Sequence, residues 1–110
     1  MSETQATCDA VARHIAEIEA ELRTLGWWSE TPPTAEQMAF TSAFGADRMT
    51  FAEWLQFVLL ARLGDVAAGR SDLPPSSQLA TKAVREFDGV AEAGGLVDRL
   101  RALDEFVGGR

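Results

Sequence analysis

The chain has 110 residues, 46% hydrophobic and 25% charged, and a formal net charge of −7 from 17 acidic against 10 basic side chains. That length suits one domain around one core, so residues 1–110 read as a single unit. An acidic field repels phosphate, which argues against nucleic acid as a direct ligand, and the longest apolar run, "FVLLA", is far short of the roughly 20 residues that span a bilayer.

The first residues, "MSETQATCD", lack the basic-then-apolar pattern of a secretory signal, and one cysteine, Cys8, makes neither an internal disulfide nor a cysteine-rich metal site. The expectation is a cytoplasmic chain. Cys8, Val11, Ile15, Ile18, Leu22 and Leu25 then recur at steps of three and four, which stacks them on one stripe of a helix stopped by Gly26. Asp9 with Arg13 and Glu19 with Arg23 mark its solvent side. Trp27 and Trp28 end this helix, where large rings cover one end of a core or stand out as an exposed anchor.

The paired prolines of "WWSETPPT" fix an extended connection. Thr34 with Gln37 has capping-box spacing and predicts a short helical turn through Glu36 and Met38 before Gly45 breaks the chain. Thr50 with Glu53 is a second capping box, opening a helix that runs to about Gly69. At 100° per residue, Phe51, Trp54, Leu55, Val58, Leu59 and Val66 form a wide apolar arc with Arg62 near its middle. Gln56 projects to the opposite side with Glu53, and this helix, apolar almost all round, is the central one.

"GRSDLPPSS" is the next connection, with Ser76 or Ser77 as the helix cap. Leu79, Ala83 and Phe87 give a shorter helix closed by Gly89, and Leu96, Leu100, Leu103 and Val107 give the last one. No segment alternates as a strand does. The predicted fold is all-α, an up-and-down four-helix bundle with a short extra helical turn between the first two long helices.

The stretches "WSETPP", "FTSAFGADRMTFAEWLQFVLLARL" and "LPPSS" resemble the YqcC-like family of small bacterial proteins, most strongly from Trp28 to Pro75. The resemblance implies a helical bundle with no established enzymatic activity, encoded beside a tRNA pseudouridine synthase. Trp28 has a counterpart in the family pattern and Trp27 has none. The chain departs from the pattern at Ala43 and Ala61, where a proline is usual, and Ala61 predicts a straighter helix than in relatives.

No catalytic constellation is visible. His14, the one histidine, has only Glu17 within helical reach as a co-ligand and reads as a half-buried structural residue; Glu17, Glu19 and Glu21 spread around one helix; Cys8 lies on the core stripe without a basic neighbour. Neither a metal nor a cofactor is implied. Two readings remain, with Trp27, Trp28, Trp54, Gln56 and Arg62 as the candidate binding residues.

One reading is a non-catalytic protein-interaction module, a monomer or weak homodimer. Its partner would be a tRNA pseudouridine synthase or another basic RNA-modifying enzyme suited to an acidic surface. The other is a small-molecule, anion-binding protein whose pocket is lined by Phe44, Met49 and Trp54 and closed by Arg62. Arg62 itself is expected to pair with Asp65 or Asp47, tying its helix to the "FGADRM" loop, to run its stem along the core with its head at a surface, or to serve a partner or anion.

Overall fold

The computed structural model describes residues 3–109. Its first element, α1 (Glu3–Thr24), buries Val11, Ile18 and Leu22 from the predicted stripe and leaves Cys8, Ile15 and Leu25 half-buried. Gly26 ends it in the left-handed conformation at φ +75°, with Trp27 N–H bonded to the Leu22 carbonyl and Gly26 N–H to the Arg23 carbonyl. That pair of bonds satisfies carbonyls the helix itself leaves open. Both tryptophans therefore lie in the connection after α1 rather than on its last turn.

The short α2 (Ala35–Met38) carries the Thr34–Gln37 capping box, and a 3-10 turn follows at Ala43–Gly45. A continuous helical rod comes next: α3 (Phe51–Trp54), a π turn (Leu55–Leu59) and α4 (Leu60–Ala67). Its start is capped as expected, Thr50 Oγ1 accepting from Glu53 N–H at 3.1 Å and Glu53 Oε1 accepting from Thr50 N–H at 2.9 Å. The chain closes with α5 (Leu79–Glu86), a 3-10 turn (Ala91–Ala93) and α6 (Gly94–Gly108).

Contacts between elements set the directions. Cys8 near the start of α1 donates its thiol to the Val66 carbonyl at the far end of the rod, while Ser29, just past α1, meets Gln56 near the rod's start. These two run antiparallel. His14 packs tilted against Phe106 and Glu17 pairs with Arg99, which makes α1 and α6 antiparallel as well. Phe51 opening the rod packs on Phe87 ending α5, and Leu79 opening α5 bonds to Asp104 late in α6. The result is the up-and-down bundle, with Val11, Ile18, Leu22, Leu55, Leu96, Leu100 and Leu103 nearly or fully excluded from solvent in one cluster.

Two local expectations give way to tertiary structure. The cap of α5 is not Ser76 or Ser77: the residue at the cap position, Gln78, offers no side-chain bond, and Asp104 reaches across from α6 to accept from Leu79 N–H at 3.0 Å and Ala80 N–H at 2.8 Å. Ser77 donates its hydroxyl to the same carboxylate. A carboxylate binds these free donors and complements the helix dipole more strongly than a hydroxyl does, so Asp104 fills the role.

The second departure is the π turn. Leu60 N–H bonds to the Leu55 carbonyl, five residues back, so the turn holds one residue more than an α turn and sets everything after it back by about 100°. Leu60, Leu63 and Val66 take the inward positions of α4, and Arg62 moves from the middle of the apolar arc to an exposed edge. The regular helix expected from Ala61 is thus interrupted one turn before that residue. No helix among the described residues is long and apolar enough to cross a membrane.

Candidate functional site

Arg62 stands at the edge of a cleft, a cavity of about 480 Å³ between α4 and the 71–79 connection. Phe44, Trp54, Leu59, Leu63 and Leu79 supply its apolar lining; Arg62, Asp65 and Asp72 supply its exposed charges. The volume lies in the usual range for small-molecule sites, of roughly 300–1,000 Å³.

Arg62 makes no ion pair among the described residues, and both carboxylates expected to hold it are otherwise engaged. Asp65 pairs with Arg70 at 2.8 Å. Asp47 organises its own loop, accepting from Ser42 Oγ at 2.7 Å, Thr41 Oγ1 at 3.2 Å and the backbone N–H groups of both residues. Those bonds, the Ser42 hydroxyl foremost, hold its carboxyl down at about 2. The tie predicted between Arg62 and the "FGADRM" loop is therefore absent, because the π turn points the guanidinium to solvent.

Phe44 forms the aromatic wall of the cleft in an unusual way. Its backbone is left-handed, φ +60°, which a bulky residue adopts only under tertiary constraint. The constraint is visible: the ring sits edge-on to Trp54 at 5.1 Å and to Phe51 at 5.7 Å. Gly45 beside it is buried at φ +65°, and a Cβ there would stand 3.1 Å from Trp54 Cδ1. Met49, expected in the pocket, packs under this turn instead and lines no part of the cleft.

Trp54 is 6% exposed, and its indole Nε1 is buried without a hydrogen-bond partner. An unsatisfied buried donor costs about 1–3 kcal/mol. Gln56, projected outward with Glu53, is instead the buried polar side chain of the described core. Its Oε1 accepts from Ser29 N–H and its Nε2 donates to the Ser29 carbonyl, both at 2.8 Å, pinning the "WSETPP" connection to the rod.

The other candidates lie away from the cleft. Trp27 packs tilted against Phe87 at 4.9 Å, and Trp28 lies under the Arg23 guanidinium at 4.5 Å. His14 is half-buried against Phe106, and burial lowers its pKa against the opposing pull of Glu17, with Arg13 adding to the lowering. Sequence reasoning singled out Phe44, Trp54 and Arg62, which the fold does bring to one cleft. It missed the left-handed backbone of Phe44, Asp72 at the cleft edge and the capping Asp104; of these only the Phe44 backbone had a nearby signal, the glycine after it.

A second surface feature lies where α5 gives way to α6. Val84 is 50% and Val90 37% exposed, and with Phe87 and Val97 they line an open depression of about 410 Å³ edged by Asp88 and Asp98. Trp27 supports it through Phe87.

An acidic, all-α, up-and-down bundle with an open cleft and an apolar end face defines a class of small helical proteins rather than a reaction. The chain belongs to the DUF446 family, whose model, described as "tRNA pseudouridine synthase C", matches residues 10–106. An uncharacterized protein of Haemophilus influenzae is 29% identical over 96 residues, 84% of this chain and 88% of that one. The uncharacterized protein YqcC of Escherichia coli is 35% identical over 68 residues, 62% of each chain. The solution NMR structure of YqcC superposes with a TM-score of 0.80 at 28% identity, covering 93% of this chain and 88% of that one. The YqcC-like resemblance and the helical fold it implied are thus the chain's own.

Proposed function

We propose that this chain is a non-catalytic interaction module that docks a basic protein on its Val84–Val90 face. The exposure of Val84 and Val90 beside Phe87 and Val97, edged by Asp88 and Asp98, carries the reading. An apolar centre with a charged rim is the anatomy of a protein interface. The rim and the net charge of −7 favour a basic partner and speed its approach.

The partner class that fits is an RNA-modifying enzyme, whose own surface must be basic to hold phosphate. The description of the family model and the gene neighbourhood of YqcC-like proteins both point to a tRNA pseudouridine synthase. The chain's role beside it is accessory. Among the described residues no acidic or basic side chain is buried, Cys8 is bonded to a carbonyl, His14 lies tilted against a ring, and the two serine–carboxylate contacts, Ser42 with Asp47 and Ser77 with Asp104, serve a loop and a helix cap.

Purification of the tagged chain and of Val84→Glu from native cells tests the proposal. A pseudouridine synthase or other basic RNA-modifying enzyme is expected with the wild type, reduced by salt and lost with Val84→Glu. Equal recovery with both, or no such enzyme with either, would overturn it.

A further inference from the structure

We propose that the cleft between α4 and the 71–79 connection is a ligand site for a small apolar molecule bearing a single carboxylate. The site lies apart from the Val84–Val90 face, so the two proposals stand or fall separately.

Four observations converge there. The cavity, about 480 Å³, has an apolar lining of Phe44, Trp54, Leu59, Leu63 and Leu79, which suits an aromatic or branched aliphatic body. Arg62 at its edge is exposed and lacks an ion pair, as Arg13 and Arg85 do away from the cleft, whereas Arg23, Arg48, Arg70, Arg99 and Arg101 are each paired. Its planar fork matches a carboxylate in two parallel hydrogen bonds. The Trp54 indole N–H, in a residue that lines the cleft, is a donor without an acceptor.

The fourth is the backbone that builds the walls. Phe44 is held left-handed on one side, and the π turn rotates Arg62 out of the core on the other. Non-glycine residues at positive φ and single π turns both concentrate at functional sites. In this chain they shape the same cavity.

The charges at the edge limit the ligand. Asp65 is neutralised by Arg70, Asp72 has no ion pair among the described residues, and Arg62 is the cation that the cleft lining offers to an incoming anion. Phosphate esters and di-acids would bring a second negative charge against Asp72. A monocarboxylate does not.

Isotope-labelled protein titrated with hydrocinnamate, followed through the tryptophan indole N–H resonances, tests the site. Saturable movement of the Trp54 indole resonance is expected, with Arg62→Gln weakening binding about tenfold or more and Arg62→Lys falling between. Hydrocinnamyl alcohol, the same body without the charge, should bind about tenfold more weakly or worse. Inorganic phosphate at the same concentrations should leave the Trp54 resonance in place. No saturable shift, equal binding of the alcohol, or an affinity unchanged by Arg62→Gln would each overturn the proposal.

Discussion

Two faces of the α3–α4 rod bury similar side chains yet meet different surroundings. On one, Leu55 belongs with Val11, Ile18, Leu22, Leu96 and Leu100 to a core cluster where exposures fall to 0%. On the 71–79 side Leu59, Leu63 and Val66 border an open cleft and keep 4–8% exposure, with unpaired charges beside them. Leu55 and Leu59 both lie in the π turn, whose extra residue keeps one face in the core and leaves space and an unused arginine on the other.

The largest effect should fall on the core side. Leu55→Ala leaves a cavity among close-packed neighbours and should cost about 2–5 kcal/mol, whereas Leu59→Ala, bordering the cleft, should cost less because water can enter part of the space. Chemical denaturation of the two variants checks this. Equal losses would mean that the cleft side is packed as tightly as the core.

Gln56 ties the core side to its connection, so Gln56→Leu strands both polar groups of Ser29 and should cost about 1–3 kcal/mol despite the gain in apolar surface. Urea titration reads it directly. Asp104→Ala removes the cap that α6 lends to α5, at about 0.5–2 kcal/mol. Protection of α5 amides against hydrogen exchange should drop further than that of α1.

Smaller still is the response to acid. Burial holds the folded pKa of His14 below its ordinary value of 6.5, so the unfolded chain takes up the proton first. Its contribution is whole above about pH 6.5 and is lost as pH falls toward the folded value. A second loss should begin near pH 4 and run toward 2 as Asp47 is protonated, because its folded carboxyl sits at about 2. Melting curves of His14→Gln should lack the first loss and keep the second.

How much of this was legible follows the range of each interaction. The helical stripes, both capping boxes and the glycine stop of α1 depend on residues within five of one another, and a reading of spacing alone finds them. Asp104 caps a helix 25 residues earlier, and Gln56 serves a backbone 27 residues earlier, so no local pattern announces either. The π turn carries no glycine or proline to betray it, which is why an ideal projection placed Arg62 among leucines and Gln56 in solvent. The candidate residues Trp54 and Arg62 were nonetheless found, for a reason that did not survive: Arg62 drew attention as a misfit in a core it does not enter.

The π turn carries Leu63 into the core and Arg62 out of it. Thermal melting of Arg62→Ala beside Leu63→Ala reads that register. The register described here predicts a change within about 0.5 kcal/mol for the exposed arginine and a clear loss for the leucine. A large loss at Arg62 with little at Leu63 would mean that the helix is regular through this turn and that Arg62 lies in the core.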